Sequence, residues 1–198
     1  MKKKKGSFTR FLLPALFGGV LITAGCGDED AAPTEAGPYD ATEPKYVLAN
    51  VELAFNRGDV NLLSDCLAGE FKFFFDVDDI GQKIDGYTIP ASWARDEFLA
   101  AADNMFAETR DISLTDHWRE IGTPAPGETS FQAADVPLEI VVVVDAGNGY
   151  AFDDGTCDYE FEKEPTRIWH LAKWRDRSRE CGCLGPATFG RILARYHP

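Results

Sequence analysis

Glu70-Phe71-Lys72-Phe73-Phe74-Phe75-Asp76 is the stretch on which the fold turns. Side chains alternate along an extended chain, so the stretch reads as a strand with Phe71, Phe73 and Phe75 on one face. Upstream, Val47, Val51, Ala54 and Phe55 recur at helical spacing. Thr42 stands where a cap belongs and Pro44 near the helix start, where a missing N–H costs little. Asn56-Arg57-Gly58 reads as the stop, and Asp59 caps a short second helix through Leu62, Leu63 and Leu67, ended by Ala68-Gly69.

Downstream, residues 76–90 read as a long loop, and Ser92 caps a third helix over 93–107 with Phe98, Ala101, Ala102 and Met105 on its buried stripe. From there the period is two. Strands are predicted over 112–121, over 131–145 with an interruption near Pro137, over 150–163 with a bulge at Asp153-Asp154-Gly155, and over 167–175. Ala146-Gly147-Asn148-Gly149 reads as a hairpin turn, and a short helix follows Thr188. Helices first and an antiparallel meander of strands afterwards make an α+β domain, with the N-terminal helices packed on the sheet.

That element order resembles the cone fold of the nuclear transport factor 2-like superfamily over about residues 43–197. So do Ala54-Phe55-Asn56-Arg57-Gly58-Asp59, Trp169-His170-Leu171-Ala172-Lys173-Trp174-Arg175-Asp176, Ser92-Trp93-Ala94-Arg95-Asp96-Glu97 and Asn104-Met105-Phe106. The resemblance implies that the antiparallel sheet is strongly curved, curling around the helices with a pocket at its open end. Enzymes of the superfamily (ketosteroid isomerase, scytalone dehydratase, limonene epoxide hydrolase) place Asp, His, Tyr or Arg in that pocket. No residue set here matches one of those catalytic patterns position by position, so no catalytic residue is carried over.

The N-terminus reads as an export signal over residues 1–25: four lysines, an apolar run of about 14 residues, then small residues before Cys26. The run is shorter than the roughly 20 residues of a membrane span. Thr23-Ala24-Gly25-Cys26 resembles the lipobox of bacterial lipoproteins, with Thr23 where leucine is commonest; Cys26 is then the lipid-anchored first residue of the mature chain. Gly27 offers no aspartate-type inner-membrane retention signal. The expectation is a cell-envelope protein on the exported side of the membrane. Residues 26–42, rich in Asp, Glu, Ala, Pro, Thr and Gly, read as a flexible acidic tether, leaving 43–198 as one domain. Without the signal, 15 basic residues face 33 acidic ones, a net charge of −18, which argues against nucleic acid as a partner.

Four cysteines remain, and an even count in an exported chain suggests disulfides. Cys181 and Cys183 are too close to bond to each other without strain, so Cys66 and Cys157 are each expected to take one of them. A zinc site is the rival, unsupported by any C-x-x-C pair. No cofactor is implied. Asp76, Asp78 and Asp79 lack the glycine and distal glutamate of a calcium loop and read as solvated.

Two polar residues interrupt apolar rows: Asp116 in Ile112, Leu114, Asp116, Trp118, and His170 in Ile168, His170, Ala172, Trp174. If both faced the pocket they would form an acid–base pair, with Trp118 and Trp174 beside it. A strand end facing solvent, or a satisfied buried hydrogen bond, is the plainer reading of each. No phosphate-binding glycine loop, nucleophile elbow or H-E-x-x-H motif is present. The expected function is therefore a lipid-anchored, non-catalytic cone domain that binds a small apolar ligand, an envelope protein or a second copy of itself. The alternative is a pocket enzyme of the isomerase or dehydratase type using Asp116 and His170.

Overall fold

The computed structural model describes residues 37–177 and 188–198. The expected signal, Cys26, most of the tether, Cys181 and Cys183 lie outside the described residues. Two helices open the domain, α1 (Pro44–Arg57) and α2 (Val60–Cys66). Pro44 sits at the first helical position after Glu43, one residue later than a Thr42 cap would place it. Gly58 ends α1 at φ 63°, a left-handed conformation that glycine takes without strain, and its N–H returns to Ala54 and Phe55. Asp59 caps α2 by accepting from the N–H groups of Asn61 and Leu62. The last expected tether residues pack onto the domain: Tyr39 exchanges two hydrogen bonds with Asn50, at 2.7 and 2.9 Å, and the Ala41 carbonyl accepts from Trp169.

The six-stranded sheet runs β4 (Ser92–Ala94), β1 (Leu67–Phe74), β8 (Trp169–Arg177), β7 (Asn148–Lys163), β6 (Ser130–Asp145), β5 (Asp111–Asp116). It is mixed: β1 pairs parallel to β8, and every other pairing is antiparallel. Trp93, expected in a helix, lies in β4 opposite Phe73, and helix α3 (Arg95–Glu108) starts after Ala94, whose N–H is taken by the Glu97 carboxylate. The stripe of Phe98, Ala101, Ala102 and Met105 is buried as its period requires. Residues 76–90 are less irregular than expected. They hold a small hairpin, β2 (Lys83–Ile84) and β3 (Tyr87–Thr88), turning on Asp85 and Gly86, both at positive φ.

Breaks in register bend the long strands, and three of them lie in the body of β6, β7 and β8. β6 carries an extra residue between Ala133 and Val136, with Asp135 at φ 54°; β7 carries one between Phe152 and Gly155, facing Ile140 and Leu138; β8 carries one at Ala172, between Leu171 and Lys173. Each adds twist and bends its strand, which curls the sheet around α1 and α3. The bulge at Ala172 also reverses the alternation. Trp169 and Leu171 face inward before it, Trp174 and Asp176 after it.

The outer edge of β5 is closed by helix side chains rather than by another strand. The Asn56 amide accepts from the Leu114 N–H at 2.6 Å and donates to the Leu114 carbonyl at 3.0 Å, and the Glu52 carboxylate accepts from the Asp116 N–H at 2.9 Å. Asn56→Ala removes both bonds to Leu114, and a loss of roughly 0.5–1.5 kcal/mol is expected, the net worth of such bonds where water can compete for the freed groups. Urea unfolding measures it; an unchanged midpoint would mean that solvent replaces the amide fully.

Candidate functional site

Asp116 ends β5 on its inward face and is only 3% exposed. Its Oδ2 accepts a 2.7 Å hydrogen bond from the Tyr159 hydroxyl, while Oδ1 has no partner among the described residues. Burial pushes the carboxyl up to about 7; the Tyr159 bond works against that and nearby Glu52 adds to it. Glu52 is itself raised by burial. Desolvation holds Tyr159 far above the usual phenol range. Beside it the Cys157 Sγ accepts from Trp174 Nε1 at 3.0 Å. A buried polar line thus runs from Glu52 through Asp116, Tyr159 and Cys157 to Trp174.

His170 is not part of it. The bulge at Ala172 puts His170 on the outer face, opposite Glu162 and 3.7 Å from the Glu164 carboxylate. The row Ile168, His170, Ala172, Trp174 does not exist as one face, so Asp116 and His170 form no acid–base pair. Trp118 is also displaced from its expected row: β5 stops at Asp116, and Trp118 lies in a 3-10 turn (Trp118–Glu120), packed by Tyr39 and covered by the Arg119 guanidinium at 4.1 Å. Trp174 stands instead at the centre of the core. It stacks on Phe189 with 4.8 Å between centroids and meets Phe55, Phe73, Phe98 and Tyr159 within 6.4 Å.

A second polar group was not expected. Asp79, read as solvated, is 2% exposed and accepts from the Thr188 hydroxyl at 2.5 Å, with Arg191 3.4 Å away. Asp176 continues the inward row of Trp174, accepts from the Gly190 N–H at 2.5 Å, and is pushed by burial up to about 7. Only its place two residues after Trp174 signalled it. Among the described residues no group of three or more His, Cys, Asp or Glu is arranged to hold a metal ion. Cys66 and Cys157 are buried free thiols, not bonded to each other; burial pushes Cys66 up to about 12. The cysteines expected to pair with them lie outside the described residues.

Two solved structures share this arrangement of bent sheet and helices. A protein of Streptomyces avermitilis, provisionally assigned as a dehydratase of the NTF2-like family, is 15% identical with a TM-score of 0.51, over 72% of this chain and 97% of that one. A provisionally assigned scytalone dehydratase of Novosphingobium aromaticivorans is 10% identical with a TM-score of 0.52, over 73% of this chain and 89% of that one. The fold is the NTF2-like cone. No protein-family model and no curated protein matches the sequence. Identities this low speak to the fold alone.

In this cone the buried rings of Trp174, Phe189, Phe55, Phe73 and Phe98 pack on one another across the interior, and four hollows formed by described residues are walled by neither Asp116 nor Trp174. The open space lies outside. A notch of about 450 Å³ sits where the 3-10 turn passes the β6 bulge, lined by Ile121, Phe131, Ala133, Val136 and Pro137 with Glu120, Gln132 and Asp135 at its rim. Next to it, sharing Gln132 to Ala134, a second hollow is edged by Asp158, Glu160, Arg175 and Arg177.

Proposed function

We propose that this chain is a lipid-anchored protein of the bacterial cell envelope whose cone domain works without catalysis, by docking another envelope protein. The observation that carries this reading is the filled interior. Trp174, Phe189, Phe55, Phe73 and Phe98 occupy the space in which a substrate would have to sit. Asp116, the acid expected in the pocket, is hydrogen-bonded to Tyr159, the other strongly raised acid, Asp176, is taken by the Gly190 N–H, and His170 is on the face of neither. The notch beside the β6 bulge, walled by Ile121, Phe131, Val136 and Pro137 and carrying polar groups as well, together with exposed Val141 on β6 and Ile168 just before β8, gives a partner a mixed surface to cover.

Native mass spectrometry of protein extracted from envelopes tests the reading. The expected result is the polypeptide with its lipid, alone or with a protein bound. A small molecule retained in stoichiometric amount would overturn it in favour of a ligand-binding or catalytic cone. The anchor has its own test: Cys26→Ser is expected to abolish labelling by a fatty-acid analogue and to release the domain from membranes. Persistent labelling would reject the lipobox.

A further inference from the structure

The last helix of the chain, α4 (Phe189–Ala194), has six residues, far too few to stand as a helix in water. It is held by what it enters. Phe189 lies face to face on Trp174, with 5° between the ring planes, and edge-on to Phe55 and Phe73. Behind it the backbone comes so close that a Cβ on Gly190 would lie 2.8 Å from the Phe75 ring and 2.9 Å from the Asp176 carboxylate. The Gly190 N–H and the Thr188 hydroxyl donate to Asp176 and Asp79, and Arg191 faces Asp79. A ring on an aromatic floor, with donors and a cation set against two carboxylates, is how a separate ligand would bind.

We propose that α4 is a releasable plug of the cone, latched at its N-terminal end by Asp79 and Asp176. This goes beyond the docking role above and bears on it, because Phe189 is one of the rings that fill the interior while the plug is seated. Among the described residues the latch is poor in cations. Asp76, Asp78 and Asp79 face it from the loop after β1, Asp176 and Cys157 from the sheet, and Arg191 from α4 itself. At its far end α4 is tied by Arg195 to Asp85 at 3.0 Å, and His197 beyond it stacks on Tyr87. Desolvation raises Asp79 and Asp176 while the plug is seated; release returns both to water and to ordinary acidity. The seated state therefore holds protons that the released state gives up. Seating is strongest in acid and weakens as pH climbs toward 7.

Amide hydrogen exchange on the full chain, corrected for intrinsic rates, tests the plug. The amides of Gly190, Ile192 and Arg195 are expected to exchange through an opening that leaves β6 and β7 protected, roughly ten-fold more often at pH 8 than at pH 5. Asp176→Asn should remove most of that pH dependence, or Asp79→Asn should if the first variant does not fold. Gly190→Ala should raise the open population, and the resulting chain should bind a synthetic peptide of residues 188–198 saturably where the parent does not. Protection of α4 equal to that of β6 and β7 at every pH, loss of protection throughout Gly190→Ala, or failure of the peptide to bind it would each overturn the proposal.

Discussion

Trp174→Ala is expected to destabilise the domain by roughly 3–5 kcal/mol, the range for emptying a large aromatic site in a packed core. Trp174 is fully buried and contacts rings from α1, β1, α3, β7 and α4, so its loss leaves a void that no single neighbour can close. It also removes the Nε1 donor on Cys157. Against a total of about 5–15 kcal/mol for a domain, such a loss brings the fold near its limit. Trp174→Phe keeps a ring but not the donor, and should cost about 1–3 kcal/mol. Denaturant titration of both separates packing from hydrogen bonding. A loss under about 1 kcal/mol for the alanine variant would mean that this ring is not the keystone the contacts describe.

Stability should rise as the pH falls from 8 to 5. Asp116 and Asp176 each sit near 7 in the folded chain through desolvation, and Asp79 and Glu52 are raised as well. Unfolded, such carboxyls titrate near 4, so between about pH 4 and 7 the folded state binds more protons. Their contribution is complete below the unfolded value and is lost as pH rises through the folded one. The expected swing is on the order of 2–5 kcal/mol, since each tenfold gain in a carboxylate's proton affinity on folding is worth about 1.4 kcal/mol. Thermal melts at several pH values read it, and Asp116→Asn, neutral at every pH, should flatten the curve. A domain that loses stability steadily from pH 7 to 5 would contradict the buried, partly unpartnered carboxyls.

How much of this could be read in the residues depends on the range of the signal. The α3 stripe, the Phe71–Phe73–Phe75 row and the turn at 146–149 are local patterns, and the structure follows them. The parallel pairing of β1 with β8 joins strands about a hundred residues apart and leaves no periodicity to find. Asp85-Gly86 carried a hairpin signal inside what looked like plain loop. The candidate site failed for one reason above all. A single extra residue at Ala172 changes which of two neighbours points inward, and nothing in Leu171-Ala172-Lys173 announces it. Asp116, on an unbulged strand, was placed inward by its row; its partner Tyr159 came from another strand and could be found only in three dimensions.

A curved sheet that does not close into a barrel leaves two margins at which a further strand could be added, and each is a seed for polymer growth. Here Asn56 works as a chain terminator. Its amide offers Leu114 one donor and one acceptor, the equivalent of a single peptide unit, and then the helix turns away so that nothing can be appended. The opposite margin, β4, is three residues long and offers too short a template for a stranger to register on. Loss of the terminator would therefore matter less to the isolated molecule than to a crowd of them, where an open margin on one copy is a growth front for the next.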